Sequence, residues 1–190
     1  MGAQMEHRRE LLTERLHLRR ARKGDAPVLF ANYTGSQRCS RFLQRRADPD
    51  AARTQATLKK WCDEAWSLHD DAPFAWVIST RAADEAIGLF LVIPHGHRTE
   101  IHYGIAERFW GQGLVTEAGR AALAALWRNP ATQRIWTVCD PENTGSQRVL
   151  EKLGMQCEGI LKKWLVLPAF GTQARDCLVF ATTACTQGEP

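Results

Sequence analysis

The stretch RFWGQG, residues 108–113, stands directly ahead of an alanine- and leucine-rich run that reads as a helix. Gly111 and Gly113 let the backbone approach a ligand with no Cβ in the way. A helix N-terminus adds free N–H groups and a partial positive charge, a combination that suits phosphate. Arg108 adds a cation. The stretch therefore reads as a pyrophosphate cradle, with a plain tight turn as the alternative. Two named nucleotide motifs do not apply: no lysine follows the second glycine as in a P-loop, and no third glycine stands at the dinucleotide-fold spacing.

Other residues with chemical potential read more simply. His95 and His97 could ligate a metal, but a turn between strands explains HGH, and no metal is expected. Cys139 could carry an acyl group, yet no histidine neighbours it in sequence, and a buried strand thiol is the simpler reading. The six cysteines, at 39, 62, 139, 157, 177 and 185, show no C-x-x-C pair. They read as reduced core residues of a cytoplasmic protein. The tryptophans Trp61, Trp66, Trp76 and Trp136 read as core or as pocket wall.

These groups must be positioned by a chain of 190 residues, 44% apolar and 24% charged, with a net charge of +4. That suits one domain, residues 1–190 with a core of about 12–181, and a sizeable core. No apolar run approaches the ~20 residues that span a bilayer, so no membrane partner is expected. The start, MGAQMEHRRELL, has no apolar segment ahead of a cleavage site and so no secretory signal. The basic clusters RRARK at 19–23 and RFLQRR at 41–46 read as a solvated face, short of a nucleic-acid footprint.

The pattern predicts a strand at 15–21, then a helix through GDAPVLFANY with Asp25 as N-cap and Pro27 in its first turn. A second helix is expected from Asp48 as cap, with Pro49 at the first helical position, towards Leu68. Strands follow at 74–80, 86–93 and 99–106. Next come a helix at 114–128, a strand at 134–140, and a short helix SQRVLEKL closed by Gly154. CEGILKKWLVL and RDCLVFA are the last two strands, flanking the loop at PAFGTQ. This is an α/β (α+β) fold with a mixed sheet. The helix at 114–128 makes its flanking strands parallel, so residues 108–114 and 140–146 meet at the carboxyl edge, where open α/β sheets bind ligands.

Taken together, RFWGQG followed by LVTEA resembles the R-x-x-G-x-G acyl-CoA signature of the GNAT N-acetyltransferases. TERLHLRRARKGDA, EIHYGIAERFWGQGLVTEA, NTGSQRVLEKLGM and GTQARDCLVFA resemble its RimJ/RimL branch in order and spacing, over residues 12 to 181. The resemblance implies a mostly antiparallel sheet with a splayed parallel strand pair and helices on both faces. It implies acetyl-CoA as donor and a primary amine as acceptor, on a monomer or homodimer. Backbone groups at Tyr103, Gly104 and Ile105 would bind the pantetheine as an added strand would. Backbone amides of Arg108, Trp110, Gly111, Gln112, Gly113 and Leu114 would hold the pyrophosphate. Asn143 would contact the cofactor arm, and Ser146 would stand near the sulfur.

Acetyl transfer needs a deprotonated amine, a stabilised oxyanion and a leaving thiolate. An N–H near Ile105 would serve the oxyanion. Ser146 would protonate the sulfur, or simply cap its helix. Glu100 is the favoured base and His102, on the same strand face, the runner-up. Some relatives carry a glutamate on the penultimate strand where this chain has WLVL, so deprotonation through waters stays open. A non-catalytic acyl-CoA-binding module on the same fold is the alternative function, and RNA association through the basic N-terminal region a third. Acceptor specificity is expected from the helices at 26–68 and the LPAFGTQ loop.

Overall fold

The computed structural model of the protein describes residues 9–68 and 71–184; Cys185 lies outside them. The elements run β1 Leu11–Leu12, β2 Leu16–Arg19, α1 Asp25–Leu29, α2 Gln37–Ser40, α3 Ala51–Cys62, β3 Phe74–Thr80, β4 Ala86–His95 and β5 Arg98–Ile105. They continue with α4 Leu114–Leu126, β6 Arg134–Cys139, α5 Thr144–Lys152, β7 Gln156–Leu165 and β8 Arg175–Thr183. One eight-stranded sheet carries them, in the order β1-β2-β3-β4-β5-β6-β8-β7. Every neighbouring pair is antiparallel except β5 and β6, which α4 joins by the expected crossover.

Alternation along the strands divides the apolar residues between two faces. Phe90, Ile101, Ile105, Ile135 and Cys139 pack under α4 and α5 with Leu114, Ala118, Ala122 and Leu150. Ala75 and Val77 pack with Leu29, Leu58 and Cys62 of α1 and α3 on the other face. Helices thus cover both faces, and β3 is buried along nearly its whole length. Trp66 and Trp76 belong to this core, with edge-to-face rings 6.5 Å apart. Trp66 sits not on the α3 helix but in the 3₁₀ turn that follows it, Glu64–Ser67. Of the described cysteines Cys62, Cys139 and Cys177 are buried, Cys39 is half-buried, and Cys157 is exposed rather than in the core.

Three local expectations need correcting, and electrostatics explains each. Asp25 is not an N-cap: Gly24, at φ 98°, holds that position. The Asp25 carboxylate instead accepts two hydrogen bonds from the buried Arg19 guanidinium, at 2.8 and 2.9 Å, and one from the Arg22 amide at 2.6 Å. Arg19 is therefore no part of a solvated basic face; it is 1% exposed, and Asp84 binds its Nε at 2.8 Å. Asp50, not Asp48, caps α3 by accepting from the Arg53 amide at 2.8 Å. Asp48 turns inward to accept from the Thr54 hydroxyl at 2.7 Å. α1 also continues into a wider turn, Phe30–Thr34, closed by a Gly35 N–H to Phe30 C=O bond of 3.1 Å that the sequence pattern did not suggest.

Asp25→Ala would leave the Arg19 charge buried with only the half-exposed Asp84 as partner. A loss of about 3 kcal/mol in unfolding free energy is expected, read as a lowered urea midpoint at unchanged slope.

Candidate active site

The parallel pairing of β5 with β6 covers only three residue pairs: Arg98↔Arg134, Thr99↔Ile135 and Glu100↔Trp136. Both strands continue beyond Glu100 and Trp136 without pairing with each other, so a gap opens between them towards their carboxyl ends. Alternation tells which backbone groups face it. The Ala106 amide donates to Ile87 at 2.7 Å, so Gly104 and Ala106 turn to β4, while Tyr103 and Ile105 turn to the gap. The Ala184 amide donates to Gln133 at 3.0 Å, so Ile135, Thr137 and Cys139 turn to β8, and Val138 turns to the gap.

Tyr103, Gly104 and Ile105 therefore differ. Tyr103 and Ile105 offer backbone groups to the gap, although the Ile105 carbonyl already accepts from the Trp110 indole at 2.9 Å. Gly104 gives its backbone groups to β4, against its expected part as a backbone ligand. Its lack of a side chain serves another purpose: a Cβ there would lie 2.3 Å from the Tyr33 hydroxyl. The wide turn at Phe30–Thr34 brings that phenol over the strand.

At the mouth of the gap, Gly111 and Gly113 both adopt φ 75°. An added Cβ would meet nothing within 4 Å at Gly111 and only Arg15 Nη2, at 3.8 Å, at Gly113. The turn thus needs glycine for its left-handed backbone rather than for space. Gly113 caps α4 with no side-chain bond, leaving the first-turn amides from Leu114 onward without intrahelical partners. Arg108 does not add a free charge here. Its guanidinium is paired with Glu85 and donates to the Asn32 side chain at 3.2 Å. Gln112 folds its side-chain amide back onto the Arg108 carbonyl at 2.9 Å. A different arginine reaches the turn: Arg15 Nη1 donates to the Gln112 carbonyl at 3.0 Å.

Across the gap, Asn143 is the N-cap of α5, and its Oδ1 accepts from the Ser146 amide at 3.2 Å. Ser146 is therefore not the cap, and its hydroxyl takes no part in the cap bond. Ser146 Oγ lies 3.0 Å from Tyr103 Oη, so a side-chain bond bridges the opened strand and the helix. Burial pushes the Tyr103 phenol up, and it stays protonated at neutral pH. The asparagine cap was legible as N-x-x-S ahead of a helix; the tyrosine–serine bridge had no sequence signal.

Glu100 and His102 lie on the opposite sheet face, the face of Gly104 and Tyr33. Glu100 Oε1 is 2.8 Å from His102 Nε2, and both side chains are partly exposed. Trp136, the cross-strand neighbour of Glu100, has an indole N–H that is buried without a partner among the described residues. Ser40 Oγ shares that condition. The two segments expected to set specificity meet at the rim of this face: Phe42 and Phe170 stand 5.6 Å apart. Arg41 lies over both rings, Arg175 over Phe170 at 4.2 Å, and Arg175 Nε also donates to Asp140 at 2.7 Å. In the WLVL stretch Trp164 and Val166 are exposed, and Leu165 and Leu167 are buried.

Cys139 is buried, and burial pushes its thiol up to about 11, which leaves little thiolate at neutral pH. His95 and His97 flank a turn with Gly96 at φ 62°. Among the described residues no three His, Cys, Asp or Glu side chains gather as a metal site, and no helix is long and apolar enough to cross a membrane.

A family profile described as "Acetyltransferase (GNAT) domain" matches residues 15–156. The chain belongs to the GNAT acetyltransferases. It is 36% identical over 155 residues to the uncharacterised N-acetyltransferase YnaD of Bacillus subtilis, covering 80% of this chain and 86% of that protein. Its fold matches a GNAT-family acetyltransferase from Bacillus anthracis with TM-score 0.79 at 22% identity, covering 92% of this chain and 98% of the other. It also matches Mycobacterium smegmatis RimJ, solved in complex with CoA-disulfide, with TM-score 0.77 at 24% identity, covering 92% and 84% of the two chains. At these identities the structural likeness speaks for the GNAT fold. Within that fold, this chain itself shows the gap between β5 and β6 and the glycine turn at its mouth.

Asn143→Ala should remove the α5 cap and lower stability by about 1 kcal/mol, seen as a lower melting temperature. An unchanged melting temperature would show that the cap bond contributes nothing.

Proposed function

We propose that this GNAT acetyltransferase moves an acetyl group from acetyl-CoA directly to a primary amine, either a protein N-terminus or a small-molecule amine. The observation that carries this reading is the early end of β5–β6 pairing, with a helix start that no side chain caps behind two left-handed glycines at its mouth. That arrangement has the chemistry of an acyl-CoA: amides of Gly111 to Leu114 for the diphosphate, and an unpaired strand edge for the amide-rich pantetheine. RimJ, the solved neighbour with CoA-disulfide, is consistent with such a ligand.

The chain's own groups then divide the work. Tyr103 and Ile105 align the pantetheine arm by backbone bonds, and the Ile105 N–H stabilises the developing oxyanion. Tyr103 donates its phenolic proton to Ser146 Oγ, which leaves the serine O–H aimed at the sulfur as the thiolate departs. Asn143 holds Ser146 in place through the cap and keeps its amide NH₂ for the cofactor arm. The amine arrives from the other face, where Glu100, oriented by His102, accepts its proton directly or through a water. Arg108 contributes through its backbone amide and through its bond to Glu85. Attack on the thioester carbon forms the C–N bond, breaks the C–S bond and needs no acyl-enzyme, in keeping with the protonated Cys139.

A thiol-release assay over a panel of amines, paired with calorimetric CoA titration, tests this. Turnover with at least one primary amine is expected; tight CoA binding with no turnover on any amine would instead identify an acyl-CoA-binding module. Gly113→Val forces a β-branched residue to φ > 0 and should weaken CoA binding by at least about tenfold with the circular dichroism spectrum retained. Glu100→Gln should cut kcat far more than it changes CoA affinity, and an unchanged pH–rate profile would exclude Glu100 as the base.

A further inference from the structure

The turn between the two glycines is held from outside. Arg15, on the segment between β1 and β2, donates from Nη1 to the Gln112 carbonyl at 3.0 Å. In a trans peptide the carbonyl of one residue and the N–H of the next point in opposite directions, and the described chain has no cis bond. Fixing the Gln112 oxygen on Arg15 therefore turns the Gly113 N–H the opposite way. Gly113, at φ 75° on one side of this peptide plane, would otherwise leave it easy to flip, because glycine tolerates either sense.

The same arginine is tied to Glu117, the fourth residue of α4. Arg15 Nε and Nη2 each stand 2.7 Å from Glu117 Oε2, the Arg15 amide donates to Oε1 at 2.8 Å, and the Thr13 hydroxyl donates to Oε1 at 2.6 Å. Burial alone would push the Glu117 carboxyl up; the bonds from Thr13 and Arg15 outweigh it and hold the carboxyl below its usual range. An ionised carboxylate in the first helical turn favours the helix but repels any anion brought to that end. Arg15 cancels that repulsion at a distance of one ion pair. Its side chain is 47% exposed, so its contribution to global stability is small, and its effect falls on what the turn binds.

We propose that Arg15 is a positioning residue of the cofactor site, setting the peptide plane between Gln112 and Gly113 and neutralising Glu117 so that the turn accepts the CoA diphosphate. The inference rests on the acetyl-CoA reading above and adds a residue from the far end of the chain to it.

Calorimetric titrations with CoA and with pantetheine, which lacks the diphosphate, separate this role from a general structural one. Arg15→Met should weaken CoA about tenfold and leave pantetheine unchanged. Adding Glu117→Gln to Arg15→Met should restore part of the CoA affinity, because the uncompensated carboxylate is gone. Arg15→Lys keeps the charge but cannot hold Gln112 and Glu117 together; it should fall between wild type and Arg15→Met, and it serves as the variant if Arg15→Met does not fold. Wild-type CoA affinity in Arg15→Met, or in the lysine variant standing in for it, overturns the inference while leaving the acetyl-CoA reading intact. Equal losses for CoA and pantetheine also overturn it, in favour of a general structural role. A wild-type protein that binds CoA no better than pantetheine overturns the diphosphate cradle, and this inference with it.

Discussion

A pair of parallel strands that stop bonding to each other after three residues is the constraint on which the rest of this structure depends. Backbone N–H and C=O groups away from water must find partners, and a sheet interior is where leaving them unpaired costs most. This chain answers part of that demand itself: the Trp110 indole takes the Ile105 carbonyl. The remaining groups on β5 and on β6 are the ones an extended, amide-bearing ligand would complete. The opening is thus both a debt in hydrogen bonding and a template for what fills it.

The sheet also separates two chemistries. Odd-numbered residues of β5 look towards α4 and α5, where the tyrosine–serine bridge waits near the proposed sulfur position. Even-numbered residues look towards α1 and α3, where Glu100 and His102 form a partly exposed carboxylate–imidazole pair. On the proposed reading, donor and acceptor enter from opposite sides and meet only where the strands part. The loops that meet at the proposed acceptor rim, around Phe42 and Phe170, come from distant parts of the chain, so that wall can vary without disturbing the face of α4 and α5.

Much of this was legible in the sequence. Strand Phe74–Thr80 is legible to the residue, and the crossover helix, the Gly154 stop and the glycine turn are all readable from period and punctuation. What escaped reading was long-range. Asp25 looks like a cap until a buried guanidinium is known to compete for it, and nothing local announces that Arg19 is inside. Arg108 stands in the signature, yet Glu85 claims its charge; Arg15 lies nearly a hundred residues away and holds the turn. The Asn143 cap is legible from local spacing, as an asparagine three residues before Ser146.

The contact between Tyr33 and Gly104 reaches beyond the present chemistry. A phenol filling the space where a Cβ would stand makes the two positions one unit of variation. A methyl at residue 104 could be accommodated only together with a smaller ring or none at residue 33, so neither position can drift alone. Any effort to reshape this enzyme for a new amine must therefore treat that helix turn and that strand residue as a single choice.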